Sequence, residues 1–391
     1  MIARAPYLFL LLIIIPDLYL DLHYWRHRFG KGWTAKRLLY WMPTLGMIAY
    51  TLYLMYEKNF IPDNSTILYI YLFLLGFIII PKWIFMLCSI TGLGACRLFH
   101  KKKNYGNLVG LLLVPVIWFI LIYGSTIGFQ KLEVNHQTYA SPELPAAFDG
   151  YRIVLFSDAH VGSYKGSQQR ILQKAIDSIN AQHPDLIVYA GDLQNIQPQE
   201  LYEHMDILSQ LKAKDGIYSV LGNHDYAKYI DCNEARKVAN LRETVSLEKQ
   251  LGWTLLRNEH RTLTKGKDHI IIAGMENDGN GITFPQYGNI SKTLKSVKDD
   301  DFILMLEHDP SCWRRKIIPD GRAQLTLSGH THKMQFTIFG WCPMTVTGKE
   351  VNGWYTEGKQ SLFVTAGLGG LIPFRFGATG EIVVLTLKKS K

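Results

Sequence analysis

Apolar residues run almost unbroken through four stretches of the first third of the chain, residues 5–20, 38–56, 67–87 and 108–129. Beyond residue 150 they shrink to short clusters separated by polar loops. A helix needs about 20 apolar residues to cross the hydrocarbon of a bilayer. The second, third and fourth stretches meet that length, while Pro16 and Asp17 interrupt the first. A signal peptide is the rival reading there, with Arg4 as its charged start and residues 7–15 as its apolar core. No small-x-small cleavage site follows, so an uncleaved span is expected. Trp, Tyr and basic residues flank the runs, as they do at membrane–water interfaces.

Basic loops stay on the cytoplasmic side. The first loop holds Arg26, Arg28, Lys31, Lys36 and Arg37, and the second only Lys58 beside Glu57 and Asp63. The third is assigned Lys82, Arg97 and the run Lys101, Lys102, Lys103. The first and third loops are therefore expected inside, and everything after Phe129 outside the cytoplasm. Residues 130–150 contain Pro142 and Pro145 and few apolar positions, and read as a linker. The expected organisation is a transmembrane region over 1–129, a linker over 130–150 and a catalytic domain over 151–391.

The pattern after residue 150 alternates. Ile153-Val154-Leu155-Phe156 reads as a buried strand, and Ile171, Leu172, Ala175, Ile176 and Ile179 follow at helical spacing. Residues 186–189 and 217–221 predict the next strands, with a helix around 200–211 between them. Strand–helix alternation of this kind makes an α/β fold with a mostly parallel inner sheet. Later apolar clusters at 255–256, 270–273, 302–306, 325–327, 362–364 and 382–387 have few helices between them, and predict a second sheet packed on the first.

Polar residues gather just past these strands, the edge where ligands bind in open α/β sheets. The series is Asp158-Ala159-His160, Gly191-Asp192, Gly222-Asn223-His224-Asp225, Glu307-His308-Asp309 and Gly329-His330-Thr331-His332. In extended chain, residues two apart point the same way, so Asp158 with His160, and His330 with His332, can converge on one ion. Asn223 adds a neutral oxygen, and Asp192 has two carboxylate oxygens with which to bridge. Mixed His, Asp and Asn donors suit Mn, Fe or Zn. Any one of these motifs alone reads as a turn or a solvated loop; five in order, each after a strand, do not.

This series resembles the calcineurin-like metallophosphoesterase superfamily, in particular its bacterial membrane-associated branch. The tail Thr365-Ala366-Gly367-Leu368-Gly369 with Pro373-Phe374-Arg375-Phe376 supports that branch. The resemblance implies a four-layer α/β/β/α sandwich, here preceded by a transmembrane helical region, and a centre of two divalent metal ions. It assigns Asp158, His160, Asp192 and His332 to one ion, and Asp192, Asn223, His308 and His330 to the other. It makes His224 the acid that protonates the leaving oxygen, with Asp225 orienting it. The expected reaction is hydrolysis of a phosphoester by metal-bound hydroxide. The Arg that helps hold phosphate in phosphoprotein phosphatases has no counterpart in the segment from Gly191 to Gln197, which argues against that activity.

Composition fits this picture. Hydrophobic residues make up 48% of the 391 and charged ones 19%, a low share that agrees with a membrane part. The net charge is +9, but the basic residues cluster between apolar runs, where they suit lipid headgroups and not nucleic acid. None of the five cysteines forms a CxxC pair. The expected enzyme is a multi-pass membrane phosphoesterase with its catalytic domain on the exocytoplasmic side, acting on a membrane-proximal or lipid-linked ester. A cytoplasm-facing pyrophosphohydrolase of a nucleotide-linked lipid (the UDP-diacylglucosamine type) is the first alternative, and an inactive receptor or scaffold the second. A transporter is disfavoured because no ionisable pair stands out at the middle of the spans. The exposed-lipid reading rests on Leu368, Leu371, Ile372, Phe374 and Phe376. Glu276, Asn277 and Asp278, and His183, His204, His260 and His269, read as ordinary polar residues.

Overall fold

The computed structural model describes residues 6–29, 33–57, 60, 62, 65–230 and 232–391. Arg4, Lys31, Lys58 and Asp63, used above for topology, lie outside the described residues. The chain divides into two compact units, Met1–Ser125 and Thr126–Lys391.

Among the described residues, the first unit has four helices long and apolar enough to cross a membrane: Tyr7–Phe29, Lys36–Tyr56, Ser65–Leu98 and Gly106–Gly128. The first runs straight through Pro16 and Asp17, with a π-helical segment at Leu20–Trp25 just after them. The third helix has 34 residues, about 51 Å of helix against about 30 Å of hydrocarbon. Lys82 and Arg97 are therefore helical residues and not members of the third loop, which keeps Lys101, Lys102 and Lys103, all exposed. The third and fourth helices approach closely through glycine: a Cβ on Gly106 would lie 1.9 Å from the Cys88 carbonyl oxygen. Small residues at such contacts let helices pack in lipid by van der Waals contact.

An ionic cluster holds the first three helices. Lys82 Nζ lies 2.8 Å from Asp17 Oδ2 and 2.9 Å from Thr44 Oγ1, which itself donates to Asp17 Oδ2 at 2.6 Å. Asp17 and Lys82 each sit beside the midpoint of their helix. Four residues along, Asp21 accepts from Arg37 Nε at 2.6 Å and from Trp41 Nε1 at 2.8 Å. The expectation that no ionisable pair occupies the middle of the spans is thus corrected. The pair was hidden because its members come from helices 65 residues apart in sequence.

The second unit is built on two six-stranded sheets. Its strands are β1 (Leu132–Ser141), β2 (Arg152–Phe156), β3 (Leu186–Tyr189), β4 (Ile217–Ser219), β5 (Thr254–Leu255), β6 (Glu259–Lys265), β7 (Asp268–Gly274), β8 (Ile303–Leu306), β9 (Leu325–Ser328), β10 (Gly353–Glu357), β11 (Gln360–Val364) and β12 (Gly380–Lys389). One sheet has the order β1-β12-β2-β3-β4-β5 and the other β10-β11-β9-β8-β7-β6. Leu155, Val188, Ile272, Leu304, Leu327 and Phe363 fill the space between the sheets. The helix Gln169–Asn180 packs Leu172, Ile176 and Ile179 on the outer face of the first sheet. Trp313 and Ile317 cover the outer face of the second. Helix, sheet, sheet and helix make the four-layer α/β/β/α arrangement.

Residues 130–150 do not form a linker. Leu132–Ser141 form β1, which pairs in parallel with β12 from Leu132↔Gly380 to Ser141↔Lys389. The strand lies at a sheet edge with alternate residues exposed, so it needs few apolar side chains and carries little hydrophobic signal. Around 200–211, the expected helix is a 3-10 turn, Pro198–His204, continued by Met205–Leu208.

Candidate metal centre

Each functional side chain follows a strand end. Asp158 and His160 leave β2, Asp192 leaves β3, Asn223 to Asp225 leave β4, His308 leaves β8, and His330 and His332 leave β9. The two sheets therefore deliver their loops to one shared edge. The backbone there is bent into the left-handed region at Asp158 (φ 51°), His160 (45°), Asp192 (62°), His330 (74°) and His332 (49°). Non-glycine residues in this region cost about 1–3 kcal/mol each and cluster at functional sites. Gly222 is needed for the close approach: a Cβ there would lie 2.1 Å from Asp192 Oδ1.

These residues meet in two groups that share Asp192. One is Asp158, His160, Asp192 and His332; the other is Asp192, His308 and His330; in each, one donor atom per residue lies within 4.8 Å of the rest. Nε2 of His160 faces Nε2 of His332 at 3.3 Å, and Nδ1 of His330 faces Nε2 of His308 at 3.3 Å. Asp192 Oδ2 is 3.2 Å from His308 Nε2 and 3.6 Å from His160 Nε2. Asn223, on the loop after β4, donates its amide nitrogen to the Tyr229 hydroxyl at 2.8 Å, and its buried Oδ1 has no hydrogen-bond partner. His308 Nδ1 donates to the Ala190 carbonyl oxygen at 2.7 Å, which leaves the Nε2 lone pair aimed into the centre.

The donor set fits two divalent ions. Nitrogens that face each other at 3.3 Å and buried carboxylates with free lone pairs are groups that a shared cation satisfies. Electrostatics agree. Burial lowers the pKa values of His160 and His330, and brings that of His332 down to about 4, so these imidazoles are neutral and able to donate a lone pair. Burial also opposes charge on His308, but Asp192 and Asp158 outweigh it and raise its pKa to about 10. The carboxylates that favour a proton on His308 Nε2 would equally favour a metal ion in its place.

His224 lies beside the donors, its ring edge-on to that of His160 with centroids 4.9 Å apart, and belongs to neither group. Its ring is partly exposed, lies against Tyr229 with centroids 4.5 Å apart, and its Nδ1 donates to the Asn195 carbonyl oxygen. Asp225 does not orient it. The Asp225 carboxylate is fully buried and accepts from the backbone N–H groups of Asp192 (2.9 Å), Leu193 (3.0 Å), Gln194 (3.3 Å) and Gly222 (2.8 Å). It thus ties the β3 loop to the β4 loop, and Asn195 does the orienting. Glu200 holds Asn195 in turn, accepting from its backbone N–H at 2.6 Å and from that of Ile196 at 3.2 Å.

Arg375 is a second unexpected part. It is completely buried, and its guanidinium donates to the carbonyl oxygens of Ala366, Gly367, Gly369, Ala378 and Thr379. The loop it clamps donates back from Leu368 and Gly369 to the Ser157 and Asp158 carbonyls at 2.9 and 2.8 Å. Leu368 is in the core, and Leu371, Ile372, Phe374 and Phe376 are half-buried, so this loop supports the site from beneath. Glu276 pairs with Arg257, and Asp278 with Arg315 and Lys316; His260 and His269 bond Thr293 and Asp301.

Comparisons with known proteins agree with this geometry. Residues 151–334 match the family described as calcineurin-like phosphoesterase, and residues 2–129 match "Probable Calcineurin-like phosphoesterase, transmembrane domain". A Bacillus subtilis relative, "Uncharacterized metallophosphoesterase YkuE", is 33% identical over 68% of this chain and 90% of its own length. The chain belongs to the calcineurin-like metallophosphoesterases. A "Transmembrane protein with metallophosphoesterase domain" of Danio rerio is 27% identical over 76% of this chain and 67% of its own length. "UDP-2,3-diacylglucosamine pyrophosphatase LpxG" of Chlamydia trachomatis is 23% identical over 71% of this chain and 95% of its own length. This phosphoesterase is therefore a membrane-associated, metal-dependent hydrolase.

Proposed function

We propose that the enzyme hydrolyses a phosphoester held at the membrane surface, with a lipid-linked ester as its substrate class and the catalytic unit outside the cytoplasm. Asp158, His160, Asp192 and His332 would hold one divalent ion, and Asp192, Asn223, His308 and His330 the other. Bound there, the ions would supply charge for the phosphoryl oxygens and lower the pKa of water. His224 carries the reading of mechanism. With Nδ1 fixed on the Asn195 carbonyl, Nε2 is the ring atom left to deliver a proton to the departing oxygen. Asp225 and Arg375 keep the loops in register while this occurs.

The test uses purified full-length protein. His224→Ala should retain both metals yet lose ~10²–10⁴-fold in rate on an alkyl phosphoester, with a much smaller loss on a nitrophenyl ester, which needs no proton. His330→Ala and His332→Ala should each lose metal and activity. Equal losses of His224→Ala on both substrates, or two metal equivalents retained in both histidine variants, would remove the assignment.

The name of the Chlamydia relative supports a second reading, cleavage of a pyrophosphate in a nucleotide-linked lipid at the cytoplasmic face. The two readings differ in sidedness.

A further inference from the structure

Directly after the metal-centre histidine His332, the chain projects a small hairpin. Ile338 and Trp341 exchange backbone hydrogen bonds at 3.0 and 2.9 Å around a two-residue turn, Phe339-Gly340. Both turn residues have positive φ, 49° and 79°. Turns of this hand favour Asn-Gly or Asp-Gly, because small polar residues tolerate the left-handed region. Here the first position is phenylalanine, and its side chain is fully exposed at 105%. Phe339 therefore breaks two local rules together: a bulky residue in a left-handed turn, and a large apolar ring entirely in water. Sites where a sequence departs from local preference without internal compensation are those with an outside role.

The surroundings extend the pattern. Met334, Ile338, Trp341 and Val346 are also exposed. The base of the hairpin is firm, with Phe336 stacked on Phe376 at 5.8 Å and Cys342 buried. Between His332 and Glu350 the charged residues are Lys333 and Lys349, with no acidic residue. Exposed Trp and Phe on a firm hairpin, flanked only by positive charge, match the interface of an anionic bilayer. The chain supplies that bilayer. Its last span ends at Gly128 and β1 begins at Leu132, a tether of only about 14 Å at ~3.4 Å per residue.

We propose that the hairpin at residues 336–341 inserts into the lipid surface, with Phe339 at acyl depth and Trp341 at headgroup depth. The insertion itself rests on this geometry and on the membrane anchor; only its purpose, bringing lipid phosphoesters to His332 and its neighbours, rests on the substrate reading above.

The experiment places photo-reactive p-benzoylphenylalanine at position 339 or, as control, at the exposed position Val238 in the full chain. The protein is reconstituted in vesicles of phosphatidylethanolamine and phosphatidylglycerol and irradiated. Lipid adducts at 339 and none at 238 are expected. Absence of lipid adducts at 339, adducts at both positions alike, or adducts only to a second protein chain overturn the proposal. In the same vesicles, Phe339→Asp should lower turnover of embedded phosphatidic acid by about tenfold or more and leave soluble bis(p-nitrophenyl) phosphate unchanged. Lipid adducts at 339, together with wild-type protein that turns over only the soluble ester in the same vesicles, would support the insertion and refute the lipid-substrate reading, so the two ideas fail separately.

Discussion

Glu248 lies fully buried, with Ser219 Oγ donating to its Oε2 at 2.6 Å and no partner for Oε1. Burial, with help from the nearby Asp225 charge, raises its pKa from 4.5 to about 8. Between those values the folded protein holds a proton that the unfolded chain has released. Stability should therefore fall as pH rises from about 4.5 to about 8, and this contribution should level off beyond. Glu248→Gln cannot titrate. The thermal midpoint of this variant, measured in detergent on metal-loaded protein, should fall less steeply across that window than the wild type, and identical slopes would refute the argument. Glu248 also marks a limit of sequence reading. Asp158, His160, His330 and His332 are legible because side-chain identity and spacing announce them. Asn195 acts on His224 through its backbone carbonyl, and Asp225 acts on backbone N–H groups, so neither role leaves a mark in residue type.

At the scale of elements, legibility followed burial. Strands β2, β3, β8 and β9, buried on both faces, appear as short apolar runs. The edge or outer strands β1, β6 and β10 alternate or expose their residues and merge with loops. The helix Glu234–Gln250 escaped notice for a related reason: its exposed faces are heavily charged, and few apolar positions mark its inner side. The membrane helices were legible as spans, although the third runs well past its apolar stretch, but not as partners. Asp17–Lys82 is the clearest case, and it makes a prediction. Removing one member leaves the other charge buried and unpaired, which costs ~3–5 kcal/mol. Lys82→Met or Asp17→Asn alone should each sharply lower the thermal stability of the detergent-solubilised protein. The double variant should recover most of the loss. A single Lys82→Met variant as stable as wild type would show that the pair does not hold the helices together.

For the whole molecule, sidedness decides which substrates the enzyme meets. The exposed run Lys101–Lys102–Lys103 precedes the last span, and positive loops stay inside. The catalytic unit is accordingly expected outside the cytoplasm. An export-dependent reporter joined after Lys131 should be active, whereas activity of a cytoplasm-only reporter at that point would move the enzyme to the nucleotide-linked lipid side.

The pairing of β1 with β12 sets a timetable for synthesis. β12 sits between β1 and β2 in the first sheet, yet it is made more than two hundred residues after either. At ~5–20 residues per second, that interval is on the order of 10–50 s. Throughout it, a nascent chain whose helices are already entering the membrane carries two strand edges with a vacant slot between them. Ribosome-bound chains stalled before Gly380 should be cut readily by protease in the β1 region, and released chains that contain β12 should not; resistance in the stalled chains would mean that something else fills the slot first. Until β12 arrives, the two edges it later covers are open to any other strand.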